Sequence, residues 1–149
     1  SDVVRKELAG ISPAEHSYVP YGSGIYSPER TRQTYEEMLH RSETVLAAGG
    51  CAILDAAFLR SEERIRARDV ASTHGSRAVV VECVAPRDVT LRRLAERQAG
   101  VSVSNGRAEI LERQLLDVES VAEVAEADHL RVDVVRPLDD ILEEIWRRL

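Results

Sequence analysis

Aromatic residues make up only 4% of this 149-residue sequence, and its formal net charge is -6. With few stacking side chains and an acidic balance, an extended nucleic-acid surface is disfavoured, although a polynucleotide end held as a small ligand is not. Long apolar runs are missing too. None approaches the roughly 20 residues that span a bilayer, and no signal peptide is visible, so a cytoplasmic protein without a membrane partner is expected. The two cysteines, Cys51 and Cys83, lack CxxC spacing and fall in runs that read as buried strands, which suits core positions in a reducing compartment. The histidines, His16, His40, His74 and His129, have no metal-ligand spacing. No GxSxG elbow or Cys/His pairing offers a nucleophile. Lysine is nearly absent: of 20 cationic residues all but Lys6 are arginine, whose planar fork suits carboxylates and phosphates. Repeats, low-complexity segments and linkers are absent as well, and 44% hydrophobic residues suffice for one core, so residues 1–149 read as a single domain.

What is present is a succession of helix and strand signals. Val3, Val4 and Leu8 sit at helical spacing behind a Ser1 or Asp2 cap, so a short helix ending at Gly10 is expected. Residues 11–27, rich in proline, glycine and tyrosine, read as a long loop with one possible helical turn at 12–16. Ser27-Pro28-Glu29 then starts a long amphipathic helix with Tyr35, Met38, Leu39, Val45 and Leu46 in its stripe, running to Gly49. The apolar run from Cys51 to Phe58 reads as a buried parallel strand. Ser61-Glu62-Glu63 caps a helix that stops at His74-Gly75, Ala78 to Val84 is a strand, and Pro86 to Gln98 a helix. After a loop at 98–107, a helix is expected over Arg107–Glu126, a third strand over His129–Val135, and a closing amphipathic helix over Pro137–Leu149. Strands separated by helices imply an α/β fold with a parallel sheet.

Asp55 ends the first strand. In open α/β sheets ligands gather at the carboxyl ends of strands, so this acid is a candidate to hold a metal-bound water or a phosphate partner; the alternative is a helix or turn cap. Asp2 and Arg5, three apart, share one face of the first helix.

Taken in order, Ser1-Asp2-x-x-Arg5, Leu54-Asp55-Ala56, the Arg93-Leu94-x-x-Arg97 pair and the loop before Gln114 resemble the P-loop kinase group of polynucleotide kinases, zeta toxins and gluconate kinases. Tyr21 to Glu29, Tyr-Gly-Ser-Gly-Ile-Tyr-Ser-Pro-Glu, is similar to the kinase-like domain fused behind an aminoglycoside-phosphotransferase-like domain. The resemblance implies a three-layer α/β/α fold, ATP and Mg²⁺ as cofactors, and transfer of phosphate to a hydroxyl of a small-molecule or nucleotide acceptor.

By position, Asp2 would accept the acceptor's proton, or cap a helix; Arg5 would grip an anionic part of the acceptor, or face water. Asp55 would hold Mg²⁺ through water, although Ala57 stands where the family often has Thr or Asn. Arg93 and Arg97 would be lid arginines, the lid covering about 98–107; any of these and their neighbours Arg87 and Arg92 could instead face water. Ser104-Asn105-Gly106 stands where relatives often have Ser-Asp-Ala. Arg136-Pro137 would lie against adenine, or merely start a helix.

That family begins with a strand, a GxxxxGK[ST] loop, a helix and a second strand, none of which is among these residues. Its first strand lies between the Asp55 strand and the Ala78–Val84 strand. Such a βαβ unit takes roughly 30 or more residues, so a preceding segment is expected, and catalysis is not expected without it. The competing reading is a non-catalytic α/β regulatory or docking module.

Overall fold

A computed structural model describes residues 1–12, 15, 19–20, 22–98 and 108–149, without the side chains of 97, 98, 108 and 109. Within these residues the chain is helical, with one small parallel sheet, in the order α1 (Asp2–Leu8), α2 (Pro28–Ala47), α3 (Ser61–Thr73), β1 (Val80–Val84), α4 (Arg87–Gln98), α5 (Ala108–Asp117), β2 (His129–Asp133) and α6 (Leu138–Arg148). The α/β class read from the sequence is the one observed.

The helix signals act locally. At α2 the Ser27 hydroxyl accepts from the Arg30 N–H at 3.3 Å and Pro28 occupies the first turn. Its buried residues Thr34, Tyr35, Met38, Leu39 and Ser42 follow helical spacing, facing α1 and α3. The expected stripe runs out at Val45, which is exposed. Gly49 and Gly75 end α2 and α3 at φ 76° and 64°, where the amides of Gly50 and Ser76 reach back to Val45 and Ala71, each at 2.9 Å.

β1 and β2 pair in parallel from Val80↔His129 to Val84↔Asp133, with α4 and α5 in the connection between them. Leu130 and Val132, 2% and 1% exposed, point from β2 into the core with Ile141 of α6. Burying each such side chain stabilises by about 1.5–3 kcal/mol. β2 stops two residues short of the expected Val135 because Asp133 Oδ1 accepts from the Val135 N–H at 3.0 Å, a side-chain-closed turn.

Three expectations are corrected. Cys51–Phe58 alternates in exposure but joins no ladder among the described residues, leaving Ile53 91% exposed. A strand exists only through a neighbour's backbone groups, and here β1 and β2 pair only with each other. Both cysteines are exposed rather than in the core, Cys51 on this unladdered segment and Cys83 on the outer face of the laddered β1. The helix expected to reach Glu126 ends at Asp117, because the Glu119 N–H is taken by the Leu59 carbonyl at 2.8 Å.

Candidate functional site

The start of α1 and the end of the Cys51–Asp55 segment, more than fifty residues apart in sequence, meet: the nitrogen of Ser1 donates to the carbonyl of Asp55. Asp2 lies in the first turn of α1, and the Asp55 side chain is exposed. Two of the acids singled out from sequence are thus carried on adjoining backbone.

Arg5, one turn into α1, is 7% exposed. Its Nη1 donates to the Ile25 carbonyl at 2.8 Å and to Thr31 Oγ1 at 3.1 Å, and its guanidinium lies 4.8 Å from the Tyr26 ring centre. Burial lowers its pKa, opposed by the nearby Tyr26 and Asp2; arginine stays charged through any such shift. Its Nε is buried with no hydrogen-bond partner among the described residues, an unspent donor whose desolvation has a cost. Arg5 therefore does not face water; it ties α1 to the segment that leads into α2. Lys6 beside it is fully buried.

Past Asp55 the chain turns sharply. Phe58 has φ 44°, a left-handed conformation costing a bulky residue about 1–3 kcal/mol. It is held by the Tyr35 hydroxyl, which accepts from the Phe58 N–H at 3.0 Å, and by ring contact with Tyr35 at 5.1 Å and 89°. Burial, with Glu63 nearby, pushes the Tyr35 phenol up to about 12. Burial also raises the pKa of Glu63 itself, partly offset by the Arg60 N–H it accepts.

The remaining candidates gather elsewhere. Arg93 Nη2 donates to the Val134 carbonyl at 2.8 Å, just beyond β2. Arg136 pairs with Glu144, which raises its pKa, and Pro137 is the residue from which α6 starts. Arg87 bridges α4 to Glu112 of α5, and Arg92 faces solvent. The side chain of Arg97, the 99–107 part of the expected lid and the helical turn expected at 12–16, apart from Ser12 and Glu15, lie outside the described residues. So Asp2, Arg5 and Asp55 form one neighbourhood, while Arg93 and Arg136 stand at the end of β2. A cavity of about 330 Å³ between α2 and α3, lined by Glu36, Leu39, His40, Glu43, Arg66, Asp69 and Val70, contains none of these residues.

Magnesium takes few protein ligands and keeps water and phosphate oxygens. A single exposed carboxylate such as Asp55 fits that use. Among the described residues no three His, Cys, Asp or Glu side chains gather into a metal cage. No helix among them is long and apolar enough to cross a membrane.

The model of one protein family, described as AAA domain, matches residues 1–135. The chain belongs to the AAA domain family. That places it among P-loop NTPase-like, kinase-type nucleotide-binding proteins. Nothing matches it among curated proteins or solved structures. For this AAA domain chain, sequence reasoning missed the residues around the Asp55 turn: Tyr35 reads as stripe and Phe58 as strand, and Arg64 is not singled out. The one available signal was Glu119 and Glu123 in a weakly apolar stretch next to an arginine-rich chain.

Proposed function

We propose that this chain is the acceptor-side and lid portion of an ATP-dependent phosphotransferase that phosphorylates a hydroxyl of a small molecule or nucleotide. The observation that carries the reading is the match of residues 1–135 to a kinase-type nucleotide-binding family, with Asp2 and Arg5 on α1 and the Arg5 guanidinium held against the segment leading into α2. Asp2 receives the acceptor's proton as its oxygen attacks phosphorus; a carboxylate is sufficient because phosphoryl transfer is mainly positioning and charge stabilisation. Arg5 orders the segment leading into α2 and places its positive charge beneath the acceptor side, where it favours an anionic part of the acceptor. Asp55 is the residue that would hold Mg²⁺ through water, and ATP with Mg²⁺ would supply the phosphoryl group and neutralise its charge. Arg93 and Arg97 serve as lid arginines over that charge, and Arg136-Pro137 lies against the base. The phosphate-cradling GxxxxGK[ST] is not among the 149 residues, and the activity requires it.

The assay is phosphate transfer from MgATP to a panel of hydroxyl acceptors, using the intact protein. Asp2→Asn is expected to lower kcat about 10²–10⁴-fold with MgATP affinity nearly unchanged. Equal transfer by the variant would sink the base assignment. A second reading, a non-catalytic docking module, is favoured by the exposed apolar stripe of Leu138, Leu142 and Trp146 on α6, continued by Leu149 just after it. Absence of MgATP binding to the intact protein would support it.

A further inference from the structure

Between Asp55 and α3 the backbone has almost no local support. Phe58 is left-handed, and no regular structure spans residues 51–60. The groups that hold this turn come instead from a stretch some sixty residues later. The Leu59 carbonyl accepts from the Glu119 N–H at 2.8 Å. Glu119 Oε2 accepts from both the Ser61 N–H at 2.7 Å and the Ser61 hydroxyl at 2.6 Å, and these two bonds lower its pKa. Arg64, almost fully buried, gathers the rest: Nη1 donates to the Phe58 carbonyl at 2.8 Å, Nη2 to the Ser120 carbonyl at 3.0 Å, and Nε and Nη2 both reach the Glu123 carboxylate. Arg68 Nη1 adds a bond to the Glu123 carbonyl at 2.6 Å, and Val124 anchors the stretch in the core.

We infer that residues 119–124 form a strut that sets the position of the Asp55–Phe58 turn, with Arg64, Glu119 and Glu123 as positioning residues for the Asp55 carboxylate. The consequence for Asp55 rests on the proposed reading of that residue as the magnesium-side acid; the strut itself does not. Arg64 is the hub because its fork meets two carbonyls and a carboxylate from three directions, which a lysine ammonium cannot do. A positively charged side chain so placed contributes by fixing distances, not by touching phosphate. The same bonds draw residues 119–123 away from the helical path that their sequence favours, so one set of contacts shapes both partners.

The test uses the intact protein with Glu123→Gln, Arg64→Lys and, as a mild variant on exposed contacts, Ser61→Ala. Amide hydrogen exchange is read at residues 58–61 and, as reference, at Leu130 and Val132; MgATP affinity is read by calorimetry. Glu123→Gln and Arg64→Lys are expected to speed exchange at 58–61 at least about tenfold relative to the reference amides and to weaken MgATP binding about threefold to tenfold. Ser61→Ala should do the same on a smaller scale and should fold in any case. Exchange at 58–61 within twofold of wild type in the folded variants, or a rise shared equally by Leu130 and Val132, would overturn the strut. Asp55→Asn separates the two levels. If it leaves MgATP affinity unchanged, the magnesium reading of Asp55 fails while the exchange result still decides the strut.

Discussion

At the scale of single residues, the most consequential side chains are those whose bonds cannot be replaced by water. Tyr35 is one: its hydroxyl satisfies the N–H of a strained Phe58. Tyr35→Phe removes that acceptor with little change of volume, so a loss of about 1–3 kcal/mol is expected, measurable by urea denaturation. Glu123 is another. Hydrogen bonds from Arg64 hold its carboxyl down to about 2, against an ordinary 4.5. A depressed folded-state pKa contributes stability that is present above about 4.5 and is lost as pH falls through about 2, because the unfolded chain takes up the proton first. Glu119, lowered by its Ser61 bonds, acts in the same direction; Glu63, raised by burial, acts in the opposite one, favouring the fold at low pH. Melting temperature recorded from pH 6 down to 2 should therefore fall less steeply in Glu123→Gln than in wild type. Parallel curves would show that the pair adds nothing to the acid response.

At the scale of elements, burial separates two segments that both read as strands in sequence, one a continuous apolar run and one alternating. His129–Asp133 is laddered to β1 and buries Leu130 and Val132; Cys51–Asp55 joins no ladder among the described residues and leaves Ile53 in solvent. Leu130→Ala is accordingly expected to cost about 2–5 kcal/mol, whereas Ile53→Ser should stay within about 0.5 kcal/mol. Chemical denaturation of both variants checks the contrast, and a large loss at Ile53 would mean that another element covers it in solution. The element boundaries carry the same lesson. α2 and α3 begin and end near where their local signals lie, but α5 stops at Asp117 although Val118 and Ala122 continue the apolar period. What ends it is the Glu119 N–H bonded to Leu59, a partner no local window contains.

At the scale of the whole molecule, the kinase-type nucleotide-binding family was legible from an ordered set of short signals, Asp2-x-x-Arg5, Leu54-Asp55 and the arginine pair at Arg93, and the match to the AAA domain family over residues 1–135 agrees with it. The helices and the two laddered strands were legible because caps, glycine stops and apolar periods are properties of neighbouring residues. The contact of the Ser1 nitrogen with the Asp55 carbonyl was not legible, since no spacing rule joins positions so far apart. The sequence by itself determined the α/β class, the order of the elements and the chemical character of the candidate residues. Tertiary structure alone decided that Arg5 and Lys6 are buried, that Cys51 and Cys83 are not, that Cys51–Asp55 joins no ladder among the described residues, and that Phe58 adopts φ 44°. The physical reason is common to all of these: burial, pairing and tolerated strain depend on groups that other parts of the chain bring into contact, as Tyr35, Ser120 and Glu123 do around the Asp55 turn.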